Sequence, residues 1–171
     1  MTQLAWCTHP TPIGDLELAA TTKGLVLVAF GAAEAERKLH QMPAGLDADD
    51  LNAAEAHLAQ ARRELDEYFA RDRHEFEVPL DRTGATGFRA HAQLMLSRIP
   101  YGETVSYGEL AEMSGRPRAA RAAGSACANN PLPVVTPCHR VVRSDGSLGE
   151  YGGKPAAKRF LLDLEGYVLP R

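Results

Sequence analysis

At 171 residues, 44% hydrophobic and 24% charged, the chain can bury one sizeable core or two small ones and has the make-up of an ordinary globular protein. No apolar run approaches the roughly 18 residues of a membrane span, and the opening Met1-Thr2-Gln3-Leu4-Ala5-Trp6 lacks the basic and long apolar parts of a signal peptide. A net charge of −3 argues against a uniformly basic nucleic-acid binder, and three scattered cysteines (Cys7, Cys127, Cys138) argue against a disulfide framework or a CxxC zinc site. A cytoplasmic protein with no membrane partner is expected, without metal or cofactor. Cys7 and His9 lie close in sequence, but four zinc ligands cannot be assembled around them.

In chain order, the first third reads as β structure. Leu4 to Thr8, Leu16 to Thr21 and Leu25 to Phe30 are rich in apolar and β-forming residues, and Thr22-Lys23-Gly24 supplies a hairpin turn. Ala33 to Gln41 reads as a short helix ended by Pro43 and Gly45. Leu51 to Ala70 is the clearest helix, with Leu51, Ala54, Leu58, Ala61, Leu65, Tyr68 and Phe69 at helical spacing. Phe76 to Leu80 reads as one more strand, and residues 81–87 as a linker. An N-terminal α/β domain over 1–80 and a C-terminal domain over 86–171 are expected.

The second part begins with a helix from Phe88 to about Arg98, stopped by Ile99-Pro100-Tyr101-Gly102. Ser106 and Glu109 have capping-box spacing and start a helix to Met113. After the turn Ser114-Gly115-Arg116, Pro117 fits the first position of a further helix to about Ala128. Two helices joined by a tight glycine-containing turn form a helix-turn-helix pattern. The second is almost wholly small: Ala119, Ala120, Ala122, Ala123, Gly124, Ser125, Ala126 and Ala128, with Arg121 as its one long side chain past Arg118. Such a helix either packs tightly on a neighbour or approaches DNA closely.

Charge divides unevenly along the chain. Residues 1–85 carry 8 Lys/Arg against 15 Asp/Glu, a balance of −7, and residues 86–171 carry 11 against 7, a balance of +4. Between Glu112 and Asp145 there is no acidic residue, while Arg116, Arg118, Arg121, Arg140 and Arg143 all fall there. That asymmetry is either a footprint for a polyanion or a solvated basic face.

Pro131, Pro133 and Pro137 make a rigid, non-helical approach to Cys138. His139 follows, and a histidine can take a thiol's proton to give the nucleophilic thiolate. Taken alone, a Cys-His dipeptide better describes an inert buried thiol beside an unrelated histidine, because neighbours in sequence often point apart.

The surrounding blocks carry more. Pro137-Cys138-His139-Arg140-Val141, preceded by 100–107 (PYGETVSY), 119–122 (AARA) and Asn130-Pro131 and followed by 149–153 (GEYGG), resembles the O6-alkylguanine-DNA alkyltransferase family in order and spacing from Ile99 to Glu165. The N-terminal third is similar to that family only in its coarse pattern. The resemblance implies an α/β (α+β) fold: a small N-terminal antiparallel sheet with helices, then a winged helix-turn-helix-like DNA-binding and catalytic domain. It implies direct, single-turnover transfer of an alkyl group from O6 of guanine, with O4 of thymine a further candidate, to Cys138, in a monomer that binds duplex DNA through the minor groove and flips the base.

Carried over residue by residue, Cys138 is the acceptor, His139 its base, Glu165 the group that holds His139, and Lys158 a charge near the pocket. Tyr107 rotates the nucleotide and donates a hydrogen bond to the leaving guanine. Arg121 is the finger that replaces the extruded base, with Arg118, Ala120, Ala122, Gly124 and Ser125 on the DNA side. Asn130 braces the turn into the active site. Pro137, Val141, Tyr151, Gly152 and Gly153 shape the pocket, with carbonyls of Cys138 and Val141 reading the guanine amino group. Gln93 departs from the tryptophan that many family members carry. Cys127 is expected to be a space-filler. Three rival readings remain: a lesion-binding module without transfer, a thiol hydrolase, and a helix-turn-helix regulator reading the major groove.

Overall fold

The computed structural model describes residues 3–168 and divides the chain into two compact units, Met1–Ala85 and Thr86–Arg171. No helix among the described residues is long and apolar enough to cross a membrane.

The first unit is built on an antiparallel meander of β1 (Ala5–His9), β2 (Leu16–Ala20) and β3 (Leu25–Phe30), with Ala5 opposite Ala20 and Leu16 opposite Phe30. Two helices, α1 (Ala32–His40) and α2 (Leu51–Phe69), lie against it. Asp50 caps α2 by accepting from the Ala53 amide. The inward stripe of α2 is Ala54, Leu58, Ala61, Leu65 and Tyr68, as expected from the helical spacing, with Glu64 buried beside them; of the expected set, Leu51 is instead exposed and Phe69 only half-buried.

The expected strand Phe76 to Leu80 does not form; only Leu80 makes an isolated bridge, to Leu25. The amides of Glu77 and Val78 donate instead to Glu64 Oε1, at 2.8 and 3.0 Å. A buried carboxylate on α2 thus takes donors that a strand would place in a ladder. Gly24 lets this segment close on the hairpin: a Cβ there would stand 2.3 Å from the Pro79 carbonyl oxygen. Asp81, expected in the linker, is buried and bonded to Thr21 Oγ1 at 2.5 Å, so the first unit is anchored beyond residue 80.

The second unit comprises α3 (Gly87–Leu96), β4 (Val105–Ser106), α4 (Tyr107–Met113), α5 (Ala120–Ala128), a 3-10 turn (Cys138–Arg140), β5 (Val141–Val142) and α6 (Pro155–Leu164). The Ser106–Glu109 capping box forms in both directions. Pro117 does not open α5, which starts at Ala120. Residues 116–119 form a β-turn closed by the Ala119 amide on the Arg116 carbonyl at 2.9 Å. The φ fixed by proline suits that turn as well as a first helical turn. β4 and β5 pair in parallel, Val105 with Val141, which brings the start of α4 beside the end of the Cys138 segment.

Candidate active site

The approach to Cys138 is held by its own residues. Asn130 Nδ2 donates to the Thr136 carbonyl at 2.8 Å, and Oδ1 accepts from the Leu132 amide at 3.0 Å. The Thr136 amide closes on the Leu132 carbonyl at 2.7 Å. Within this loop Val134 has φ of +73°, costly for a β-branched residue by about 1–3 kcal/mol and sustained only because the neighbouring bonds over-determine the loop. Residues 132–140 are all buried, and Cys138 is 6% exposed.

The 3-10 turn then points His139 and Arg140 at one carboxylate. His139 Nε2 lies 2.7 Å from Glu165 Oε2. Arg140 grips the same group with Nε at 2.8 Å and Nη2 at 3.1 Å, and its Nη1 donates to the Ile99 carbonyl at 2.6 Å. Burial raises the affinity of Glu165 for a proton, but the bonds and charges of His139 and Arg140 outweigh it and hold the carboxyl well below the usual range. Glu165 is therefore ionised at neutral pH and can only accept, which puts the His139 proton on Nε2. Burial pushes His139 below its ordinary 6.5, more than Glu165 pulls it up, so the ring is neutral at pH 7. Its Nδ1 then carries a lone pair and, among the described residues, has no hydrogen-bond partner.

Glu165 is delivered by α6. Lys158, Leu161, Leu162 and Glu165 recur at the spacing of one helix face, and all four are buried. The Pro100-Tyr101-Gly102 turn packs on its end: Tyr101 Oη donates to the Leu164 carbonyl at 3.3 Å, and the Gly102 amide donates to Glu165 Oε1 at 3.4 Å. Seven residues before Glu165, about two turns earlier, Lys158 Nζ donates to the carbonyls of Val141 at 2.6 Å and Glu150 at 3.2 Å. Burial lowers Lys158 to about 8, and the field of Cys138 acts against that fall.

Tyr107 opens α4 half-buried, 5.9 Å from Lys158 Nζ at its ring centre, and burial pushes its hydroxyl up to about 12. It stays a proton donor at any physiological pH. Two glycines flank it. A Cβ on Gly149 would lie 2.9 Å from Tyr107 Oη, and one on Gly124 would lie 3.7 Å from Cδ1. On α5, Ala120, Arg121, Ala122, Ser125 and Ala128 are exposed, whereas Ala123 and Ala126 pack inward.

Residues 87–167 match the 6-O-methylguanine DNA methyltransferase DNA-binding domain, and residues 4–82 match the ribonuclease-like domain of the same proteins. The chain belongs to the 6-O-methylguanine DNA methyltransferase family. A methylated-DNA–protein-cysteine methyltransferase of Methanosarcina acetivorans is 38% identical over 156 residues, 91% of this chain and 94% of that protein. The crystal structure of Mycobacterium tuberculosis O6-methylguanine methyltransferase superposes with TM-score 0.78 at 38% identity, covering 95% of this chain and 93% of that one. Mycobacterium tuberculosis OGT in complex with DNA superposes with TM-score 0.75 at 37% identity, covering 94% and 91%. The α/β architecture expected from the sequence is the fold of these methyltransferases.

Within this methyltransferase fold, the residues singled out in the sequence fall into two groups. Cys138, His139, Glu165, Lys158, Asn130, Pro137 and Val141 are buried on or beside the 3-10 turn and its partners, Tyr107 is half-buried with its ring near Lys158 Nζ, and Tyr151 is buried next in sequence to Glu150, whose carbonyl Lys158 meets. Arg118, Ala120, Arg121, Ala122 and Ser125 stand on the exposed side of the helix-turn-helix, and Gly152 and Gly153 on the exposed segment after Tyr151. Gly124 is half-buried against the Tyr107 ring.

Arg140, expected in the basic stretch, is instead 7% exposed and bound to Glu165, so the exposed basic footprint consists of Arg116, Arg118, Arg121 and Arg143. Its part in the network was missed because its partner lies 25 residues away, although the Cys-His-Arg sequence was itself the signal. Burial pushes the Cys127 thiol upward, which keeps it protonated beside Cys138.

Proposed function

We propose that this methyltransferase repairs alkylated duplex DNA by accepting the alkyl group from O6 of guanine onto Cys138, once per molecule. The observation that carries the proposal is the buried set Cys138, neutral His139 and ionised Glu165, reached through an exposed helix of small residues. His139 Nδ1, directly or through a solvent bridge, takes the Cys138 proton. The thiolate attacks the alkyl carbon, the carbon–O6 bond breaks, and its electron pair goes to the guanine. Tyr107 donates a hydrogen bond to the ring as that charge develops, and the guanine takes up the proton that Cys138 lost. The product is a thioether, which does not readily hydrolyse, so turnover ends there.

The DNA side follows from size and charge. The exposed Ala120, Ala122 and Ser125 let the α5 backbone approach a narrow groove, Arg118 meets phosphates, and Arg121 fills the stack while the lesion is outside it. Extrusion costs a few kcal/mol, less at a lesion that pairs badly. In the pocket, the Val141 carbonyl already accepts from Lys158, and its second lone pair is available to the guanine amino group. The protein acts as a monomer, with no metal or cofactor in this scheme. The test is whether a methyl group leaves a methylated duplex and appears on Cys138.

Gly149 gives a sharper prediction about Tyr107. Gly149→Ala meets two obstacles: a φ of +73° and an approach of 2.9 Å to the Tyr107 hydroxyl. Left-handed backbone costs alanine about 1 kcal/mol, and relief of the close approach moves Tyr107 off the leaving group. The variant is expected to bind duplex with unchanged affinity and to transfer about tenfold more slowly. Single-turnover kinetics beside a binding titration checks this, and a wild-type rate would remove Tyr107 from the mechanism.

A further inference from the structure

Gln93 is buried in α3, and neither the nucleophile nor the DNA face accounts for it. Its Nε2 donates to the carbonyls of Ala126 at 3.1 Å and Asn129 at 3.3 Å. Both belong to the C-terminal turn of α5, where backbone carbonyls lack partners within the helix. The same turn is tightened by Asn129 Nδ2 on the Ser125 carbonyl at 2.8 Å. The next residue is Asn130, whose side chain closes the loop that ends at Cys138. Gln93 therefore grips the junction at which the exposed, small-residue helix becomes the arm carrying the nucleophile.

We infer that Gln93 is a positioning residue, which fixes the end of α5 relative to the Cys138 loop so that a base extruded at Arg121 arrives at the sulfur. The inference rests on the proposed alkyl transfer. A free alkylated base enters the pocket without α5 having to place it, whereas a base in duplex DNA depends on that placement. Loss of the two hydrogen bonds should therefore separate the two substrates.

The variant is Gln93→Met, which keeps the length and bulk of the side chain and removes both donors. Wild type and variant are assayed in parallel for single-turnover transfer from an O6-methylguanine duplex and from free O6-benzylguanine. The expected result is a rate on duplex about tenfold lower with a rate on the free base within twofold of wild type. Equal loss on both substrates would mark Gln93 as merely structural, and a duplex rate within twofold of wild type would also overturn the inference. Should Gln93→Met fail to fold, Gln93→Asn keeps the amide but shortens its reach, and the same split or its absence decides. If wild-type protein transfers nothing to itself from either substrate, the proposed function fails first and takes this inference with it.

Discussion

Glu165→Gln is expected to lower the rate of alkyl transfer by about a hundredfold or more and to destabilise the second unit by about 3 kcal/mol. Glutamine preserves the shape of the side chain but removes its charge. Arg140, buried and bound to both carboxylate oxygens, is left without a counter-charge, and stranding one member of a buried ion pair costs about 3–5 kcal/mol. Glutamine can also donate, so His139 is no longer confined to the tautomer with its proton on Nε2, and Nδ1 ceases to be a dependable base. Loss of a positioned general base costs about 10²–10⁴ in rate. The pH dependence has a definite sign. The folded carboxyl lies below its ordinary 4.5, so its contribution to stability is complete above that pH and is lost as pH falls through the folded value. The Tm gap between wild type and variant should thus be widest near neutrality and narrow in acid. A gap that stayed constant down to strongly acid pH would mean that Glu165 is not the ionised anchor.

Arg121→Ala is expected to slow repair of duplex DNA by about tenfold, equivalent to about 1.4 kcal/mol, and to leave the reaction with free O6-benzylguanine unchanged. Arg121 is exposed near the start of α5, remote in sequence from Cys138, and its proposed work is to occupy the space that the base vacates. Removing it makes the extruded state less populated without touching the sulfur or its base. Equal losses on duplex and free base would place Arg121 in the chemistry instead. An Arg118→Ala control separates insertion from phosphate contact: a phosphate contact weakens binding uniformly and lowers the salt dependence by one ion.

Local features were legible in the sequence. The Ser106–Glu109 box needs only residues three apart, whereas the bracing role of Asn130, though it acts within six residues, is implied by the family resemblance alone. The α2 stripe follows from helical period alone. What escaped was of two kinds. Long-range capture of polar groups leaves no local pattern: Arg140 reaches Glu165 25 residues on and the Ile99 carbonyl 41 residues back, and Glu64 reaches 13 and 14 residues to claim the amides of Glu77 and Val78. The second kind is degeneracy. Proline suits the first turn of a helix and the second place of a β-turn equally, so Pro117 could not place the start of α5. Gln93 combined both difficulties, since a glutamine inside a helix discloses nothing about carbonyls 33 and 36 residues away.

The most direct test is intact-mass measurement after incubation with a duplex carrying O6-methylguanine, followed by peptide mapping. One methyl group per protein molecule, located on Cys138 and absent from Cys138→Ser under the same conditions, is the predicted result. Persistent binding to the lesion with no mass gain, or a methyl group found on Cys7 or Cys127, would contradict it.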